Sequence, residues 1–164
     1  MNAASPREYS AAERRHLAAV ATLFSPPPDF DVAALFAEDA VWWNGLPRLR
    51  ELDGSCEHRG IAQIRKILSA AGTDLRRMGI DAYDLSSVRY EDVVTLADGD
   101  FAVRQHTMHA RTHGGRHYTN VYCFVFRFDT EGKISYLTEH WNTWWADRFL
   151  FDQRAPEPAK VQRG

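Results

Sequence analysis

Near the start of the chain, apolar residues recur at helical spacing at Leu17, Val20, Ala21 and Phe24, which predicts an amphipathic helix. Ser10 stands where an N-cap is wanted, and Glu13 three residues later completes a capping box. Ser25-Pro-Pro-Pro28 ends that helix, because proline cannot continue it and restricts the residue before it. Asp29 is positioned to cap a short second helix through about Ala37, burying Val32, Leu35 and Phe36. Ala40 to Asn44 reads as a short strand with two adjacent tryptophans, one for each face; parity alone does not say which faces inward. Gly45 to Gly60 has no periodicity and reads as a long irregular rim or lid. Ile61, Ile64, Ile67 and Leu68 then form one helical stripe, which Gly72 ends.

After Gly79 the period changes from helix to strand. Asp98-Gly99-Asp100, Gly114-Gly115 and Asp129-Thr-Glu-Gly132 are turn sequences, and they join strands expected at about 80–97, 101–112, 116–128 and 133–142. From Tyr118 to Phe128 one parity carries Tyr, Asn, Tyr, Phe, Phe and Phe, and the other carries Thr119, Val121, Cys123 and Val125. A strand apolar on both faces is expected to be covered on both, by the helices on one side and a second subunit on the other. A short helix from about Trp144 to Phe151 closes the chain. Helices followed by a four-stranded meander make an α+β domain, whose long strands twist and curl and leave a cleft beneath the helices.

Composition narrows the class. The 164 residues suit a single domain, expected over residues 9–151, with flexible termini at 1–8 and 152–164. Twenty basic and 22 acidic residues are spread along the chain without a basic stripe, which argues against a nucleic-acid partner. No apolar run approaches the ~20 residues of a membrane span, and the N-terminus lacks the apolar core of a signal peptide. Cys56 and Cys123 fit neither zinc nor redox spacing, so the expectation is a soluble cytoplasmic protein with free thiols.

The run Phe36-Ala-Glu-Asp-Ala-Val-Trp42, the Gly60-Ile-Ala-Gln-Ile64 helix start, and Tyr118-Thr-Asn-Val-Tyr122 through Gly132-Lys-Ile134 to Glu139-His-Trp-Asn142 resemble the nuclear-transport-factor-2-like superfamily. Within it they are most similar to the SnoaL-like branch, which includes polyketide cyclases and has limonene-epoxide hydrolase and the phenazine-biosynthesis A/B proteins as relatives. The resemblance covers roughly residues 10–150. It implies a cone-shaped domain with a strongly curved, mainly antiparallel sheet wrapped around N-terminal helices. It also implies frequent homodimers, no metal or other cofactor, and a small-molecule pocket worked by acid–base side chains. One reaction is not implied, because the superfamily also holds isomerases, dehydratases and non-catalytic subunits.

Glu139 is the sharpest chemical candidate. Leu137, Glu139 and Trp141 share one face of the last strand, and desolvation between apolar neighbours raises a carboxyl pKa towards the range useful for proton transfer. In the cyclase and epoxide-hydrolase relatives the matching position carries the working acid, usually Asp. A structural Glu paired with an arginine across the sheet is the plain alternative. Arg104 and His106 lie two apart and face the same way, together with Ala102 and Met108. The epoxide-hydrolase pattern has Asp where His106 stands, which weakens two-acid epoxide hydrolysis and favours a Glu–His acid–base couple.

Asn120 and Tyr122 share a face of the next strand, where either can hold a carbonyl oxygen or satisfy backbone groups. Trp43, Trp141 and Met108 complete the expected substrate-binding set, although such residues more often build core. His106, His109, His113 and His117 lack the spacing of metal ligands, so no metal is expected. The leading function is a cofactor-independent acid–base cyclase or isomerase for a largely apolar intermediate, with Arg104 orienting Glu139 or steadying negative charge. Epoxide opening or dehydration in the same pocket, and a non-catalytic binding or dimerisation module, remain the alternatives.

Overall fold

The computed structural model describes residues 7–45, 56–70 and 81–151. The first helix, α1 (Ala11–Phe24), starts with the expected capping box. Ser10 Oγ accepts from the Glu13 amide at 3.1 Å, and Glu13 Oε2 accepts from the Ser10 amide at 2.7 Å. Its end is fixed by the Ser25 amide, which donates to the Ala21 carbonyl at 3.0 Å immediately before the prolines.

The second helix expected from Asp29 is only a single 3-10 turn, Val32–Leu35. Asp29 lies in the preceding turn at a φ of 61°, and the cap is Asp31, whose Oδ1 accepts from the Ala33 amide at 3.1 Å. The cause lies downstream. Phe36 pairs with Ile134 and begins the first strand, β1 (Phe36–Asn44), four residues earlier than expected, so a longer helix has no chain left to use. A second strand, β2 (Glu57–Arg59), lies in the segment expected to be irregular and pairs antiparallel with β1. Residues 46–55 of that segment, and Gly72, lie outside the described residues.

Helix α2 (Ile61–Ala70) leads to β3 (Tyr83–Asp98), β4 (Phe101–Thr112), β5 (His117–Phe128), β6 (Ile134–Trp141) and the closing helix α3 (Thr143–Phe151). The expected meander is thus part of a six-stranded mixed sheet, ordered β2-β1-β6-β5-β4-β3. β6 runs parallel to β1, and every other pair is antiparallel. Register shifts within β3, and in β1 between Phe36 and Val41, insert unpaired residues that bend the sheet. The sheet is curved and open, as an NTF2-like α+β domain requires.

Helix α1 packs on β3 and β4, α2 on β1 and β2, and α3 on β5. They enclose one contiguous core that includes Val20, Ile64, Phe124, Phe126, Leu137 and Phe149. Along β5 burial alternates: Tyr118, Asn120, Tyr122, Phe124, Phe126 and Phe128 are buried, whereas Val121 on the other face is 54% exposed. Among the described residues, therefore, only one of the two apolar faces is covered. Gly99, at a φ of 57° in the β3–β4 turn, donates its amide to Glu13 Oε1 at 3.1 Å and ties that hairpin to α1.

Candidate functional site

Strand register sets the site as transverse rows on the enclosed face. Arg104, Phe124, Glu139 and Asn44 form one row across β4, β5, β6 and β1. His106, Tyr122 and Trp141 form the next, and Ala102, Phe126, Leu137 and Trp42 flank the first row on its other side. With strands about 4.8 Å apart, Arg104 and Glu139 stand roughly 10 Å from each other at the backbone, with Phe124 between them.

Glu139 is buried, and one of its oxygens is anchored. Oε2 accepts from Trp42 Nε1 at 3.0 Å and from Asn44 Nδ2 at 2.8 Å. Oε1 accepts no hydrogen bond from the described residues. Burial raises the carboxyl pKa to about 7, against the opposing pull of the two donors. With Oε2 already receiving two N–H groups, the acid proton belongs on Oε1. The result is a carboxyl poised between its two states near neutral pH, with one oxygen anchored and the other carrying the exchangeable proton.

The expected Glu139–His106 couple does not form. His106 instead accepts a hydrogen bond at Nδ1 from Arg104 Nε at 3.0 Å, which leaves its proton on Nε2. Burial, with a smaller contribution from the Arg104 charge, lowers the imidazole pKa to about 4, so His106 is neutral at physiological pH. Arg104 likewise does not reach Glu139; its guanidinium lies over the rings of Phe24 at 4.3 Å and Tyr90 at 5.4 Å.

A chain of hydroxyls runs beside Glu139. Asn120 Nδ2 donates to Tyr118 Oη at 2.8 Å, and Tyr118 Oη lies 2.9 Å from Tyr122 Oη. Burial raises both phenol pKa values, that of Tyr122 well above the ordinary range, so both remain neutral donors. Tyr83 packs its ring on Tyr118 at 4.8 Å, and its hydroxyl is buried without a well-formed hydrogen bond. Asn120 is occupied on every side: its amide also donates to the Asn142 carbonyl, and Oδ1 accepts from the Asn142 amide. It holds Tyr118 rather than offering a free group to a ligand.

Of the expected binding residues, Trp141 stacks on Tyr122 at 5.2 Å, and its Nε1 is buried without a hydrogen-bond partner. Met108 packs against the core beside Asn120 and Tyr90. Trp43 is a correction. It lies against His140, whose side chain is exposed, with ring centroids 5.4 Å apart, and it is Trp42 that meets Glu139. The parallel β1–β6 register decides this, and two adjacent tryptophans in a strand give no clue to that pairing. Asn44 was equally hidden, because asparagine at a strand end reads as a turn residue. Tyr118 was within reach of sequence reasoning, since it shares the parity of Asn120 and Tyr122.

A separate cleft of about 230 Å³ opens between Ser86, Ser87, Arg89, His109, Arg111, His117 and Thr119. It shares only Tyr118 with the interior set, and Arg89, Arg111 and His117 there are exposed. The perturbed acid and the reachable polar atoms lie inside, so the interior is the candidate site.

An open curved sheet folded over helices, with ionisable groups on its enclosed face, defines the NTF2-like class. The chain belongs to the SnoaL-like domain family, whose sequence profile matches residues 7–137. Arg104 and His106 fall inside that match, and Glu139 lies two residues beyond it. Among solved structures it is similar to an NTF2-like protein of unknown function from Burkholderia pseudomallei, with a TM-score of 0.64 at 17% identity over 84% of this chain and 98% of that one. A phenazine biosynthesis-related protein from Pseudomonas aeruginosa gives 0.64 at 14% identity over 98% and 97%. TerC, co-crystallised with polyporic acid, gives 0.62 at 15% identity over 84% and 98%. At these identities the likeness carries the fold alone. A comparison with curated protein sequences returns no significant match.

Proposed function

We propose that this protein is a cofactor-independent acid–base enzyme that cyclises or isomerises a small, largely apolar biosynthetic intermediate. The observation that carries the reading is the asymmetric Glu139 carboxyl, held at Oε2 by Trp42 and Asn44 and without a donor from the described residues at Oε1. Family membership and the phenazine biosynthesis-related neighbour are consistent with it.

In this reading Oε1 takes a proton from a carbon beside a carbonyl. The Asn120–Tyr118 bond frees the Tyr118 proton for Tyr122, whose own O–H then holds the developing enolate oxygen. In a cyclisation the enolate carbon bonds to a second carbonyl carbon of the same molecule, and Glu139 returns its proton to the oxygen formed there. In an isomerisation the proton returns to a different carbon. Epoxide hydrolysis by two carboxyls ranks lower, because His106 stands in the second acid's place.

The test compares metabolites in the source organism between a deletion strain and one carrying Glu139→Gln at normal abundance. Both should accumulate the same precursor, and turnover of the purified variant should fall about 10²–10⁴-fold, the range of general acid–base catalysis. A variant strain that restores product would make Glu139 structural and leave a binding module as the better account. Turnover that uses the carboxylate as base should climb as pH passes about 7.

A second copy of the chain is proposed to cover the outer sheet face, where Val94, Leu96 and Val121 are each about half exposed. The free thiols of Cys56 and Cys123 favour a cytoplasmic setting, and among the described residues no helix is long and apolar enough to cross a membrane.

A further inference from the structure

Arg104 is a buried cation with no anionic partner among the described residues. Only 9% of its surface is exposed, and its neighbours are neutral on every packed element: Phe24 of α1, Tyr90 and Thr95 of β3, Phe124 of β5 and His106 of its own strand. No carboxylate of the described residues forms an ion pair with it. Glu139 lies beyond Phe124 and spends its anchored oxygen on Trp42 and Asn44. Proteins rarely leave a buried charge unmatched, because desolvation without a partner is costly.

The guanidinium is also only partly used. Nε donates to His106, whereas the two terminal nitrogens make no hydrogen bond to the described residues. His106 Nε2–H makes no hydrogen bond within the protein either. Phe24, Tyr90 and Phe124 around them form an apolar wall. A parallel pair of donors with one positive charge matches a carboxylate in both geometry and charge. A phosphate dianion would leave a negative charge unmatched inside an apolar wall.

We propose that the enclosed face of the sheet binds an organic acid, whose carboxylate docks on the Arg104 terminal nitrogens and whose apolar body runs over Phe124 towards Glu139. The end-for-end orientation rests on Glu139 being the proton-transfer group; the preference for an anion does not. The acid supplies the missing counter-charge, and the roughly 10 Å between Arg104 and Glu139 sets the distance from carboxylate to reacting carbon at two strand spacings or less.

Calorimetric titration with benzoate, 2-naphthoate and anthracene-2-carboxylate, each against its methyl ester, tests this on the full chain. At least one acid should bind about 10–100-fold more tightly than its ester, the range a charge-assisted hydrogen-bonded pair supplies. Arg104→Met should abolish that preference while leaving ester binding within a few-fold, and Arg104→Lys should retain part of it. An unfolded Arg104→Met variant would leave Arg104→Lys and the wild-type acid–ester ratio to decide. A series in which no acid outbinds its ester, or an Arg104→Met protein that keeps the preference, overturns the proposal. Glu139→Gln should keep the preference intact. If that variant also keeps full turnover, the proton-transfer role falls and the anion site stands; if the preference is absent while Glu139→Gln is inactive, only the anion site falls.

Discussion

Two buried glutamates titrate in opposite directions, and the difference comes from what surrounds each. Glu13 accepts the amides of Ser10 and Gly99 and faces Arg7, which hold its pKa at about 2; Glu139 is enclosed, and burial takes it to about 7. Glu139 therefore binds more protons folded than unfolded between pH 4.5 and 7, so its contribution to stability is full below that window and declines as pH rises through it. Glu139→Gln should remove that decline and raise stability at pH 8 by on the order of 3 kcal/mol relative to wild type, read from urea denaturation. His106 acts in the opposite sense, because its pKa is depressed to about 4, and the comparison with the variant separates the two. Nitrogen-15 spectra should place the His106 proton on Nε2 and show no titration until near pH 4; a proton on Nδ1 would contradict the Arg104 hydrogen bond. Strand alternation alone put Glu139, Arg104 and His106 on the enclosed face. It could not identify their partners, because those depend on which strands become neighbours.

At the level of elements, the local signals worked where the chemistry is local. The Ser10–Glu13 box and the glycine turns depend on residues a few positions apart, and the structure has them where the sequence put them. The Asp29 helix failed because a distant strand claimed Phe36, and β2 is too short for an alternating pattern to show. One junction permits a sharp test. The Asp81 carboxylate accepts from Thr112 Oγ1 at 2.6 Å, the Gly114 amide at 2.7 Å and Arg116 Nε at 2.9 Å, clasping the β4–β5 turn. A β-carbon on Gly114 would lie 2.7 Å from Asp81 Oδ2, so Gly114→Ala should cost about 1–3 kcal/mol in denaturant unfolding. A neutral result would mean that the clasp yields freely. At the α1 end, the Glu13 clasp predicts stability lost as pH falls from 4.5 towards 2, and Glu13→Gln should flatten that acid limb of the melting curve.

For the molecule as a whole, the uncovered sheet face is the feature that a single chain does not explain. Leu96, Val103 and Val125 form one row across β3, β4 and β5, with Val94 in the next row on that face and Val121 in the row beyond it. Light scattering at micromolar concentration should give twice the chain mass, and a Val121→Glu, Leu96→Glu double variant should halve it; a wild-type monomer would remove the dimer. The order of the strands also has a consequence for how the protein is made. β6, the last of the described strands in chain order, sits between β1 and β5, and the residues that grip Glu139 are 97 and 95 positions away on β1. The β3–β5 meander can zip by short-range contacts, but β1 has no neighbour on its β6 side until Ile134–Trp141 has been made. A stalled or truncated chain ending before Ile134 would therefore carry most of the core residues, a bare strand edge open to aggregation, and no Glu139 for Trp42 and Asn44 to hold.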